Sequence, residues 1–493
     1  MNNTSTQQTL ISFQWSFIEK FGKVIFQLAQ IIVLTRFLTK DDFGIVALAL
    51  VSIEFSYLVV DAGLNAGILY LQNASQRALS SVFWLNLCLA IILYLLLWLI
   101  SPFLAHFYEE AILSSLIPLL GANILLLAIG RQHRTYLQKR FNFKAIALTE
   151  LLAYSVALIL AIVLAIKGFG VYSLIYSTLL ASLISNVSYL FLRIKKEPIT
   201  LEFSWQEVKP FIELGKFQMG SRLLDFVSKE TDIFIIGKML GIEILGLYSL
   251  TKQLVLRLYN LINPIFTNVL SPWLSSLQDE PQKQKESYLN ITRYLAYFNF
   301  PIYLVIAIGS YEILNLVYGS QYTSGALLLF TLAIYYSLNT VTNPVGSLQI
   351  ATGRTDLGFY WTLFRAFITP LLIYMGILFG GLQGVAWMLL ALSVGLIYPL
   401  WAFQLKNMIS VNFFEFTKEF IRPLASFIVL SISIHFFLKP VLPQPSYLLT
   451  SLVIVMALLI QLGLIRWYDP SFYSTAWQIL KTRINHSTNS HEH

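Results

Sequence analysis

Apolar runs separated by short polar breaks recur along the whole chain. Each is about eighteen residues or longer, enough for a helix to cross a bilayer at 1.5 Å per residue. The pattern predicts fourteen spans, near 15–38, 44–71, 79–104, 114–131, 145–166, 170–192, 212–238, 244–271, 288–309, 325–350, 357–379, 384–405, 421–438 and 446–467. The first and seventh are less apolar than the others. Connectors are short, and the longest, near 193–211 and 272–287, suit a surface helix or a linker. Any function must therefore arise among the helices.

Composition strengthens this reading. Hydrophobic residues make up 57% of the 493 and charged residues only 12%, half of the roughly 25% usual in a soluble domain. So little polar surface could not cover a soluble core, which excludes an ordinary cytosolic enzyme. The lone cysteine, Cys88, excludes a disulfide framework. There is no P-loop and no Cys/His zinc spacing, so no catalytic residue, metal site, resident cofactor or nucleic-acid partner is predicted. His486, His491 and His493 read as tail. Met1 to Leu10 has no basic cluster ahead of an apolar core and does not read as a cleaved signal peptide.

Net charge, +8, bears first on orientation. Arg131, Arg134, Lys139, Arg140 and Lys144 crowd one connector, and Arg193, Lys195, Lys196, Lys209 and Lys216 fall on the same side. The opposite connectors offer Lys40, Lys167, Lys238 and Lys439, beside Glu109 and Glu110. The excess of bases marks the cytoplasmic face, which puts both termini inside.

The chain also echoes itself. Arg36-Phe37-Leu38-Thr39-Lys40-Asp41-Asp42-Phe43-Gly44 aligns with Lys238-Met239-Leu240-Gly241-Ile242-Glu243-Ile244-Leu245-Gly246 at an offset of 202 (238 − 36). A second echo, at 214 (354 − 140), pairs Arg140 with Arg354 and Gly170-Val171 with Gly384-Val385. The expected architecture is an all-α polytopic membrane protein of about 14 transmembrane helices. Two six-helix bundles, 1–195 and 212–405, would be related by a pseudo-two-fold axis along the membrane normal. A cytoplasmic linker, 196–211, joins them; two additional transmembrane helices, 406–467, and a cytoplasmic tail, 468–493, follow.

Polar residues inside the spans narrow the function. An ionised side chain at the bilayer centre costs about 2.5–3.5 kcal/mol even on lenient scales, so such groups face partners or water. Arg222, Asp225, Lys229 and Asp232 fall within an arc of about 80° on the seventh span. Glu19, Lys23, Gln27 and Gln30, with Lys20 at the edge, form a similar stripe on the first. The offset of 202 lays Lys20, Lys23, Gln27 and Gln30 onto Arg222, Asp225, Lys229 and Asp232. Glu54, Asp61 and Asn65 share a face of the second span, and Gln253, Arg257 and Asn260 one of the eighth. One reading is a hydrated cavity lined by spans one, two, seven and eight, where Arg and Lys hold phosphate, and Gln27, Gln30, Asn65, Tyr259 and Asn260 meet sugars. The other is that these groups pair within and between helices, while Glu19, Lys20, Lys216 and Lys252 snorkel to the headgroups. Asp61, Asp225 and Asp232 are candidates for H⁺ or Na⁺ coupling. Pro264, Pro344 and Pro370 are candidate hinges.

Several short motifs then carry a family resemblance: Trp15-Ser16-Phe17-Ile18-Glu19-Lys20, the Arg36–Gly44 stretch, Asp61-Ala62-Gly63-Leu64, Gly220-Ser221-Arg222-Leu223-Leu224-Asp225, Ile236-Gly237-Lys238, Leu245-Gly246-Leu247-Tyr248-Ser249 and Ala351-Thr352-Gly353-Arg354. In order and spacing, to about residue 405, the chain resembles bacterial polysaccharide flippases of the multidrug/oligosaccharidyl-lipid/polysaccharide exporter superfamily. The resemblance implies two bundles working by alternating access on undecaprenyl-pyrophosphate-linked oligosaccharide in the bacterial cytoplasmic (inner) membrane. A polysaccharide polymerase and chain-length machinery are the implied partners. It assigns Lys20, Lys23, Arg222, Lys229 and Arg257 to the cavity; the interleaved Asp225 and Asp232 depart from a purely cationic one. Competing readings are a cation-coupled multidrug exporter of the same superfamily and a membrane-embedded polymerase or ligase, which the short outer connectors disfavour.

Overall fold

The computed structural model describes residues 3–61, 68, 75–194, 199–441 and 445–470, and every regular element among them is helical. The first six spans are α1 (Asn3–Leu34), α2 (Lys40–Asp61), α3 (Gln76–Tyr108), α4 (Leu113–Lys139), α5 (Phe143–Ile166) and α6 (Val171–Ile194). Then come α7 (Trp205–Leu240), α8 (Ile242–Ser276), α9 (Pro281–Ile308), the short α10 (Ser310–Val317), α11 (Ala326–Thr342) and α12 (Val345–Ala351). α13 (Thr355–Gly395), α14 (Phe413–Ile432) and α15 (Tyr447–Tyr468) complete the order. Every predicted span has a helical counterpart. Nine stretches of described residues are long and apolar enough to cross a membrane. One of them, Thr355–Ile409, holds two predicted passes, separated by a turn at Gly380 and Gly381. Gly381 has φ +56°, a conformation open to glycine without strain. Apart from the short α10, the helices outside those nine are α1, α2, α7 and α8, the ones with the polar positions singled out above.

Local chemistry sets the ends. Ser75 and Asn142 accept hydrogen bonds from the amides of Ala78 (2.9 Å) and Ala145 (3.3 Å), satisfying donors that a helix start leaves open. Asn412 and Glu415 form a capping box on α14. Pro264 and Pro370 lie inside helices that continue past them, whereas Pro344 stands at the break between α11 and α12.

Two compact units are present. Unit 1 holds residues 1–257, 317–319 and 359–388; unit 2 holds 258–316, 320–358 and 389–493. These units cut across the repeat halves, which describe internal symmetry rather than compactness. In unit 1, Ala153, Ala157, Ala161 and Ala165 make a buried stripe of small residues along α5. Such a stripe lets neighbouring backbones approach in the absence of any hydrophobic drive, and α1 and α6 pack on this helix.

The two copies of the repeat meet each other in unit 1. A Cβ on Gly44 would lie 2.1 Å from the Ile242 carbonyl oxygen; one on Gly246 would lie 1.8 Å from that of Lys40. At the offset of 202, Gly44 maps to Gly246 and Lys40 to Ile242, so the contact is reciprocal. A pseudo-two-fold relation requires that. Lys238 donates to the Phe107 carbonyl at 2.7 Å and the Glu109 carboxylate at 3.2 Å. Its repeat mate Arg36 lies beside Gly319, with Nη1 2.5 Å from where a Cβ would be.

In unit 2, α14 and α15 are fastened to the α9–α10 strip at both ends. Arg293 pairs with Glu419 (3.2 Å) and Asp469 (3.3 Å), and Tyr297 donates to Asp469 at 3.0 Å. At the other end Glu312 pairs with Lys439 and accepts from the Thr450 hydroxyl at 2.7 Å. Between them Phe300 and Phe427 stack at 5.5 Å. The last two helices are thus built into the unit.

Candidate functional site

Charged groups on the described parts of α1, α7 and α8 in unit 1 sort into three arrangements. The first joins α1 to the bundle behind it. Arg134 pairs with Glu19 at 2.6 Å and lies 3.8 Å from Glu150, which accepts from the Tyr189 hydroxyl at 2.7 Å. Lys23 lies 3.9 Å from the other Glu150 oxygen and 4.8 Å over the Tyr154 ring. Two bases and two acids balance here. Gln30 donates to Ser177 at 2.8 Å, so it too ties α1 to α6. Gln27 is half-buried and Lys20 exposed.

Arg134, expected in a cytoplasmic connector, lies on α4, which continues to Lys139, and its guanidinium is paired with Glu19 and close to Glu150. Glu19, expected as a possible snorkelling residue, is only 6% exposed.

The second arrangement centres on Asp232. Its carboxylate meets Lys252 at 2.9 Å, accepts from the Tyr248 hydroxyl at 2.5 Å, and accepts from the Ile233 amide at 2.8 Å. Lys252 also pairs with Glu230 at 3.2 Å and donates to the Lys229 carbonyl at 3.0 Å. It is 6% exposed, so Lys252 is a buried hub and not a snorkelling end residue. The sequence signal was present: Glu230 and Asp232 near the end of α7 need a base, and α8 returns antiparallel with Lys252 in reach.

The third arrangement is open. Lys229 and Asp225 pair at 2.7 Å with both side chains about half exposed, and Arg222 is exposed one turn earlier. α7 therefore runs from an exposed charged stretch into a buried one. On α8, Arg257 lies 3.4 Å from the Gln253 side-chain oxygen, and its Nη1 is buried with no hydrogen-bond partner among the described residues. Asn260 is exposed and belongs to unit 2. Asn65 lies outside the described residues, as does the side chain of Asp61. Among the described residues no group of three or more His, Cys, Asp or Glu side chains could hold a metal.

The structure thus brings together Lys23 with Glu150, Lys229 with Asp225, and Asp232 with Lys252. It leaves Arg257 with an uncommitted donor. Glu150, Glu230 and Arg365 are charges within the predicted spans that the sequence reading passed over.

Comparison with known proteins places this geometry. A family described as "Polysaccharide biosynthesis protein" matches residues 33–326. The teichuronic acid biosynthesis protein TuaB of Bacillus subtilis is 28% identical over 419 residues, 84% of this chain and 87% of that protein. The succinoglycan biosynthesis transport protein ExoT of Rhizobium meliloti is 24% identical over 434 residues, covering 86% and 85%. Among solved structures, lipid II flippase MurJ in an inward closed conformation superposes with a TM-score of 0.70 at 14% identity, covering 92% of this chain and 99% of that one. A multidrug resistance MATE family transporter gives 0.60 at 17% identity, covering 77% and 95%. The fold is that of these helical transporters.

Proposed function

Because the chain belongs to the polysaccharide biosynthesis protein family, we propose that it is a flippase carrying a lipid-linked oligosaccharide across the membrane by alternating access. The relatives are biosynthesis and transport proteins, and the shared fold is a transporter fold rather than an enzyme. In this reading the substrate is a polyprenyl pyrophosphate bearing the sugar repeat. The membrane is the bacterial cytoplasmic one, and both termini lie inside. A polymerase with its chain-length machinery receives the product.

The physics of that cargo explains the residues. The prenyl tail is at home in lipid, but a pyrophosphate and sugar hydroxyls would lose their hydration in hydrocarbon. A wet, basic path lowers that barrier. Arg suits it because its fork binds phosphate oxygens bidentately and does not deprotonate. The observation that carries the reading is Arg257, whose buried Nη1 has no partner among the described residues, while Asp225 and Asp232 are each held by a lysine. The uncommitted donor belongs to a base, which supports an anionic cargo; Glu54 on α2 is exposed with no ion pair among the described residues, so the unpaired charge of unit 1 is not purely positive.

The test is complementation of a strain lacking the gene. Arg257→Ala should remain in the membrane at normal level yet lose most surface polysaccharide, and drug sensitivity of the deletion strain should be unchanged. Full polysaccharide with Arg257→Ala would remove Arg257 from the site. Drug hypersensitivity with intact polysaccharide in the deletion strain would transfer the chain to the exporter reading.

A further inference from the structure

One membrane-embedded base belongs to neither polar stripe. Arg365 lies about 15 Å along α13 from Thr355 at 1.5 Å per residue, near the middle of a hydrocarbon layer about 30 Å thick. The helix supplies no counter-ion: its only acid, Asp356, is held by Arg354 at 3.0 and 3.1 Å, and the rest of α13 contains no Asp or Glu. The Arg365 Nε is buried without a hydrogen-bond partner among the described residues.

A second polar atom on the same face shares that condition. Thr369, one turn on and only 3% exposed, also has its hydroxyl oxygen buried and unpartnered among the described residues. Buried helical threonines usually donate to the carbonyl four residues back. Thr292 and Thr331 do so here at 2.9 Å each. Thr369 does not, so its hydroxyl lacks the usual backbone acceptor. A guanidinium N–H and a hydroxyl, one turn apart with no acid on the helix, form a donor set for an oxyanion.

We propose that Arg365 and Thr369 form an anion site midway through the membrane that receives the phosphate of the lipid-linked substrate during passage. The proposal rests on the flippase reading and adds a binding position that the stripes on α1, α7 and α8 do not contain. A bilayer headgroup does not normally sit at that depth, so the phosphate that reaches it is one in transit.

The test measures binding to the full-length protein in nanodiscs, with undecaprenyl pyrophosphate as probe and undecaprenol as its uncharged counterpart. Arg365→Ala should weaken pyrophosphate-lipid binding about tenfold or more, as loss of a charged hydrogen bond does. Thr369→Val, close to isosteric, should weaken it by a smaller factor, and Arg365→Lys should restore part of the loss. Undecaprenol binding should not change. Inorganic pyrophosphate should compete; competition by glucuronate alone would overturn the phosphate assignment in favour of a sugar carboxylate. If Arg365→Ala fails to fold, the Lys and Val variants give the reading. Wild-type affinity in both Arg365→Lys and Thr369→Val overturns the site while the flippase reading stands. A wild-type protein that ignores the pyrophosphate lipid overturns both.

Discussion

Asp225 and Asp232 are seven residues apart on one face of α7, yet their surroundings give them opposite energetics. Asp232 is buried among Lys252, Tyr248 and a backbone amide, so removing its charge leaves a desolvated ammonium with less to hold it. Breaking one partner of a buried pair typically costs about 3–5 kcal/mol. Asp232→Ala is expected to lie toward the lower end, because Glu230 still reaches Lys252. Asp225 and Lys229 are about half exposed, and exposed pairs contribute about 0–1 kcal/mol. Asp225→Ala should therefore leave stability within about 0.5 kcal/mol of wild type. Thermal or denaturant unfolding in detergent checks both, and equal losses would show that burial does not separate the two acids. Charge spacing in the sequence put both residues in one stripe; it could not show that the lysine for Asp232 comes from the next helix.

At the scale of elements, the crossing of α2 and α8 depends on two glycines. A side chain at Gly44 or Gly246 would meet backbone oxygen, which cannot rotate away as a flexible side chain can. Gly44→Val and Gly246→Val should each destabilise by about 1–3 kcal/mol, the usual cost of overpacking, read as a lowered unfolding temperature in detergent. Gly346 is the control. It is exposed on α12 with nothing within 4 Å of an added Cβ, so Gly346→Ala should be neutral or stabilise by about 0.4–1 kcal/mol. An equal loss at all three positions would mean that the crossing has no special role. The repeat was visible in the sequence as base, Leu, acid and Gly at fixed spacing. That its two copies touch each other was not, because an alignment fixes correspondence and not contact.

At the scale of the whole molecule, ion pairs at both ends of α14 and α15 determine what unit 2 is. Glu312 and Lys439 are each under a tenth exposed and bond to one another. Glu312→Gln should cost about 3–5 kcal/mol, since it strands the lysine, and should make the 413–470 region the first to be cleaved in limited proteolysis. Unchanged protease resistance would show that the stacked Phe300 and Phe427 hold these helices without the ion pair. From the sequence the last two spans read only as two additional helices after the second bundle, because Glu312 and Lys439 are 127 positions apart (439 − 312).

Hydropathy, charge asymmetry and the internal echo were enough to determine a helical membrane protein with repeated halves, and short ordered motifs carried the resemblance to its family. Those properties follow from solvent and from local periodicity, which each segment carries by itself. Tertiary structure decided which charges remain available. It placed Lys252 on Asp232 and Arg134 on Glu19 and Glu150, and left Arg257 and Arg365 each with a buried nitrogen lacking a partner among the described residues. Neutralisation depends on distances of a few ångströms between helices far apart in the chain, and no single segment encodes them.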